Sequence, residues 1–143
     1  DLVSRKLSGP AGCAIDEFIE ELEAFGGARA SSVFGQAVSG AAAQLREATD
    51  WLRQRAATER EATAASASDY LHLFGLTATA YMWGLMADAA QARLDSGETD
   101  PFYAAKLVTG RHFVERVLPE AAARLAAVKA GAGALMELPE DSF

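Results

Sequence analysis

This sequence predicts an all-α fold, an antiparallel four-helix bundle with up-and-down connectivity, on three observations. Half of its 143 residues are hydrophobic, but alanine dominates that set, and strand-forming valine, isoleucine and threonine are sparse. Apolar residues recur at steps of three and four in four separate segments. The breaks between those segments are short, which makes successive helices antiparallel neighbours. A chain of this length buries one core without disulfide or metal, so a single domain over 1–143 is expected.

The first helix is expected over residues 11–25. Pro10 suits its start, Ile15, Phe18, Ile19, Leu22 and Phe25 form its apolar face, and Gly26 and Gly27 offer the left-handed turn that stops it. The second, 32–57, carries Phe34, Val38, Ala41, Leu45, Ala48, Leu52 and Ala56 on one side and Arg46, Glu47, Asp50, Arg53 and Gln54 on the other. Trp51 lies beside that stripe, to cover its edge or to meet a partner. A turn near residues 57–62 leads to a third helix, 62–95. Its run "YLHLFGLTATAYMWGLMA" is read as a central helix buried on most sides, with Gly75 and Gly84 marking close helix crossings. The run is not a membrane span, because threonines and His72 interrupt it, no basic flank anchors it and Asp69 borders it.

Asp100 caps the fourth helix, 101–130, and Pro101 occupies its first position. Tyr103, Leu107, Gly110, Val114, Val117, Ala121 and Leu125 form its stripe, and Pro119 is expected to kink or divide it. Residues 131–143 read as a tail docked through Leu135, Met136, Leu138 and Phe143.

A net charge of −7 and a pI near 4.8 disfavour nucleic acid and anionic membranes as partners. The single cysteine, Cys13, forms no internal disulfide, fits a reducing cytoplasm and reads as a small buried residue. "DLVSRKLSG" lacks the apolar core of a signal peptide. Asp1 is not a natural start, so a piece cut from a longer polypeptide is expected.

Catalytic chemistry finds little support. Asp69 and His72 have the carboxylate-x-x-His spacing of dimetal bundles, but the second such pair is missing and no metal site is expected. Cys13 has no adjacent histidine, no serine sits in a glycine elbow, and Gly131 and Gly133 lie where a helix dipole repels phosphate. On residues alone an interaction or structural domain is favoured over an autonomous enzyme.

The segments "DLVSRKL", "YLHLFGLTATAYMWGLM", "DPFYAAKLVTGRHFVERVLP" and "LPEDSF" give the chain its family likeness. It resembles the C-terminal helical domain of bacterial acyl-CoA dehydrogenases, of the longer subgroup with an extra helical domain. Tyr70, Leu71, Gly75 and Trp83, then Asp100, Pro101, Lys106, Leu107 and Arg111, carry the match most specifically, whereas residues 10–65 match in pattern alone.

That resemblance implies a parent flavoenzyme that oxidises acyl-CoA to trans-2-enoyl-CoA with FAD in fatty acid β-oxidation. The family's glutamate base precedes the segment resembling "DLVSRKL", so no residue here inherits it and the fragment alone is expected to be inactive and FAD-free. The implied partners are the catalytic core of the same polypeptide and a second subunit, in a cytoplasmic homodimer. Arg5, nearest in sequence to the absent site, is the candidate for the cofactor's neighbourhood. Lys106, Arg111, Trp51 and Trp83 are structural or interface candidates. The two cations either brace facing helices through carboxylates such as Asp69 or Asp88, or meet another domain. The rival reading is a stand-alone four-helix interaction module.

Overall fold

The computed structural model describes residues 10–56 and 58–137, and among them every regular element is helical. In chain order these are α1 (Pro10–Gly27), α2 (Val33–Arg55), α3 (Arg60–Asp95), α4 (Pro101–His112), a π-helical turn (Phe113–Val117), α5 (Glu120–Ala130) and the short α6 (Gly133–Met136).

The core is built from the periodic faces. Ile19 and Leu22 of α1, Val38, Ala42, Leu45, Ala48 and Leu52 of α2, Leu73 of α3 and Val128 of α5 have no exposed surface. Each large aliphatic side chain so buried contributes roughly 1.5–3 kcal/mol. An aromatic seam joins α1 to α3, with Phe18 tilted on Phe74 at 5.3 Å and Phe25 edge-on to Tyr81 at 5.1 Å between ring centroids.

Cross-helix pairs give the chain directions. Between α1 and α2, Asp16 meets Arg53 while Glu23 meets Arg46, so residue numbers rise on one helix as they fall on the other. Between α3 and the chain after Pro101 the order also reverses, because Ser66 donates to the Val128 carbonyl whereas Trp83 lies against Gly110. Between α1 and α3, Phe18 with Phe74, Phe25 with Tyr81 and Arg29 with Asp88 advance together.

Helix ends follow local chemistry. The Ser32 hydroxyl accepts from Phe34 N at 3.2 Å and the Asp100 carboxylate from Phe102 N at 2.9 Å, with Pro101 in the first turn as expected. Gly131, at φ 68°, closes α5 in a conformation that glycine adopts without a Cβ clash.

Several expectations are corrected. Gly26 and Gly27 do not stop α1 with a left-handed turn, since among the described residues only Gly97 and Gly131 have positive φ. Gly26 instead permits contact: a Cβ there would stand 2.1 Å from Ser39 Oγ and 2.9 Å from the Gly35 carbonyl oxygen. Gly84 does mark a crossing, with an added Cβ 2.7 Å from the Phe25 ring, but Gly75 is exposed and would meet nothing within 4 Å. Cys13 is exposed, because the inward slot one residue earlier belongs to Gly12.

The helix expected over 101–130 is divided, as Pro119 requires. Proline has no N–H for the ladder, and the turn before it widens, with Leu118 N donating to the Phe113 carbonyl five residues back at 2.9 Å. The wide turn inserts one residue into the register. Leu118 is therefore buried and Val117, expected in the stripe, is 37% exposed.

The central helix departs most. One face of α3 lies in the core, but Leu71 is 65%, Met82 53% and Leu85 39% exposed on the opposite face, so it is not buried on most sides. In the tail, Leu135 and Met136 stand 70% and 65% exposed rather than docked. Leu138 and Phe143 lie outside the described residues.

Candidate functional site

Buried polar groups are the first place to seek chemistry, and here they serve packing. Thr49, Thr63, Ser66 and Thr77 are buried, and each hydroxyl donates to a backbone carbonyl. Tyr70 shares a hydrogen bond with Thr49 at 2.8 Å, and burial raises its pKa above that of free tyrosine. Among the described residues no buried side-chain nitrogen or oxygen lacks a partner, so none is held in reserve for a substrate.

The charged groups form ties across the surface. Arg53 clamps Asp16 with two nitrogens at 2.7 and 3.1 Å and donates to the Gly12 carbonyl at 3.0 Å, and this lowers the Asp16 pKa. Arg46 clamps Glu23 in the same two-pronged way, at 2.7 and 2.9 Å. Tyr81 donates to Glu21 at 2.5 Å, which raises the phenol's pKa because ionising it would place two anions together.

The carboxylates expected to receive Lys106 and Arg111 have other partners. Asp69 takes Arg124 Nη1 at 2.9 Å, while Glu120 holds the same guanidinium from the other side, and Asp88 takes Arg29 Nε at 2.5 Å. Lys106 instead places its ammonium 5.7 Å from the Trp83 ring centroid and 5.2 Å from that of Phe102. Arg111 and His112 are exposed, and among the described residues neither makes a hydrogen bond or ion pair. The physical cause is helical phase. Lys106 leans toward the α3 side of α4, whereas Arg111, five residues on, points well away from it.

Trp83 is half-buried behind Gly110, where an added Cβ would come within 3.1 Å of its ring and 2.8 Å of Phe34. Trp51 is half-buried too, with the Arg55 guanidinium 4.2 Å from its ring centroid. Arg5 lies outside the described residues. Asp69 and His72 are not brought together with a third ligand, and no group of three metal-ligating side chains occurs among the described residues.

Two grooves remain. One, of about 480 Å³, runs between α1, α2 and α5 past Trp51, Glu47, Asp50 and Lys129. Its Glu23 and Glu47 are already tied to Arg46 and to Lys129, the latter at 2.5 Å. The other, of about 450 Å³ between α3 and α4, has Met86, Ala89 and Phe102 as apolar wall and Arg93 and Lys106 as cations. It adjoins the exposed face of α3, where Leu71, Met82 and Leu85 stand open, and together they form an apolar surface. Sequence reading missed this surface, although its signal was present: apolar residues at three- and four-residue steps on both sides of one helix.

No described helix is long and apolar enough to cross a membrane. A protein-family model described as acetyl-CoA dehydrogenase C-terminal like matches residues 14–139. No curated protein matches the chain.

Proposed function

The chain belongs to the acetyl-CoA dehydrogenase C-terminal-like family, and on that footing we propose that it is the structural and oligomerisation domain of an FAD-dependent acyl-CoA dehydrogenase. The single observation that carries this reading is the family match across 14–139. The parent oxidises acyl-CoA to trans-2-enoyl-CoA in bacterial, cytoplasmic fatty acid β-oxidation and works as a homodimer. The domain is an antiparallel up-and-down four-helix bundle, a reading supported by the reversed pairings of α1 with α2 and of α3 with the chain after Pro101.

The described residues do not fit a flavin. The groove beside Trp51 is lined by Glu23, Glu47 and Asp50, which repel a pyrophosphate, and no glycine-rich phosphate loop leads into a helix. FAD therefore belongs to the catalytic core, with Arg5 the residue of this chain nearest to it in sequence. Support for a structural role comes from satisfied core polar groups and from Arg29, Arg53 and Arg124 tying helices together.

The test is the whole reading frame. Several hundred codons upstream of Asp1, and a purified polypeptide whose flavin bleaches when acyl-CoA is added, are expected. A start codon near Asp1 would overturn the reading and leave the stand-alone interaction module, which the exposed face of α3 favours.

A further inference from the structure

The outer face of α3 carries a heptad pattern that the bundle does not use. Ala64, Leu71, Ala78, Leu85 and Ala92 recur every seven residues, and Ser68, Gly75, Met82 and Ala89 recur every seven between them. This is the spacing of a coiled-coil seam. Along this face Ala78 is half-buried, Leu71, Met82 and Leu85 are exposed by 65%, 53% and 39%, and Ala64, Ser68, Gly75, Ala89 and Ala92 are exposed too. Gly75 is the second observation. Glycine inside an exposed helix costs about 1 kcal/mol against alanine, yet nothing among the described residues stands within 4 Å of a Cβ placed there.

We propose that this face pairs with the same face of a second copy, two α3 helices crossing antiparallel about a twofold axis near residue 80. The proposal deepens the homodimer part of the reading above and rests on it for its biological setting. In that register Gly75 faces Leu85 of the second copy, Ala78 faces Met82 and Leu71 faces Ala89. In these three layers a small residue meets a large one, as close-packed antiparallel helices require, and the end layer sets Ser68 against Ala92. Sliding one heptad step the other way sets Leu71 against Met82 and Gly75 against Ala78, large on large and small on small, which packs worse.

Charge and area agree with a second copy. Each chain carries −7, so two copies repel over most of their surface, but residues 70–87 include no Asp, Glu, Lys or Arg. The strip from Ser68 to Ala92 is about 36 Å long at 1.5 Å per residue. With Met86 and Phe102 on its flank it buries on the order of 1,000 Å² over both copies, near the lower bound of specific interfaces.

The test uses the chain with Cys13→Ser, since that exposed thiol would otherwise cross-link. Sedimentation is expected to show concentration-dependent dimers, and Met82→Glu to weaken them at least about tenfold by burying an unpaired charge, with the helical signal unchanged. Mixing Ala78→Cys with Met82→Cys chains under mild oxidation should give the mixed disulfide faster than either homodimer. A monomer at every concentration, or faster 78–78 and 82–82 pairing, overturns the proposal. A Thr79→Cys thiol shielded from alkylation in the full polypeptide while the chain stays monomeric assigns the face to the catalytic core and also refutes it. Flavin bleaching in a full-length Met82→Glu protein separates failure of this contact from failure of the flavoenzyme reading.

Discussion

Gly75 and Gly84 sit in the same helix, nine residues apart, and the structure assigns opposite consequences to replacing each with alanine. At Gly75 the new methyl enters open space, so only the helix preference of alanine counts, and stability should rise by about 0.5–1 kcal/mol. At Gly84 the methyl would stand 2.7 Å from Phe25 Cε1 and Cζ, and the ring must retreat by roughly 0.7 Å to reach ordinary contact. That ring has little room to move, with Tyr81 edge-on at 5.1 Å and the Arg29 guanidinium 3.9 Å from its centroid. Overpacking of this kind costs about 1–3 kcal/mol, which outweighs the gain in helix preference and leaves a net loss of roughly 1 kcal/mol. Urea unfolding followed by helical circular dichroism, at concentrations where the chain is monomeric, reads both. With a slope of about 2 kcal/mol/M, the midpoint should rise by about 0.3–0.5 M for Gly75→Ala and fall by about 0.5 M for Gly84→Ala. Shifts of the same sign, or a stabilising Gly84→Ala, would refute the packing argument.

Three further outcomes are expected. Tyr70→Phe should cost about 1 kcal/mol or less at neutral pH, because Thr49 keeps its bond to the Leu45 carbonyl. Burial raises the Tyr70 pKa, so its contribution is intact below about pH 10 and lost as pH rises through the folded value; the variant should show a shallower alkaline loss of thermal stability, with Tyr81 supplying what slope remains. Asp16 is the opposite case: Arg53 lowers its pKa, its contribution is present above about pH 4 and lost as pH falls through the folded value, so Asp16→Asn should flatten the acid limb of a stability profile. The exposed setting of that pair limits the effect at neutral pH to about 1 kcal/mol. Asp100→Ala removes the acceptor for Phe102 N and should cost about 0.5–2 kcal/mol in a denaturant titration.

The inward faces of the helices were readable in the sequence because each has one period and one consequence. Phe34, Val38, Ala41, Leu45, Ala48 and Leu52 all become buried, and Asp100 with Pro101 starts α4 as capping chemistry dictates. What escaped was information carried by geometry between helices. Pro119 announces a break, but whether the chain kinks or gains a wide turn depends on which residue fills the inward slot. Leu118 fills it better than Val117, and the π turn follows. Gly26 looked like a stop signal, while its reason is the Ser39 hydroxyl and Gly35 backbone of a neighbouring helix.

Charge partners were legible only as residue types. Lys106 and Arg111 lie on a helix packed against the one that carries Asp69 and Asp88, yet Arg124 and Arg29, which lie at the right height and phase, take those carboxylates. Lys106 is left to the faces of Trp83 and Phe102, and Arg111 points outward. A cation's helical phase therefore decides its partner before its chemistry does.

The same reasoning explains why α3 was misjudged. A helix with one apolar stripe shows its polar side plainly, but α3 has two: Ser66, Tyr70, Leu73, Thr77, Ala80, Gly84 and Ala87 face the core, and Leu71, Gly75, Ala78, Met82 and Leu85 face away. Superposed, the two stripes remove the contrast that marks a surface, and the helix reads as buried all round. That reading took the apolar character of the outer face for burial within the chain, and the exposure of Leu71, Met82 and Leu85 corrects it. Among the described residues no further long helix covers it, which leaves that face open to another surface. The small-large alternation at seven-residue spacing selects a second α3 for that place.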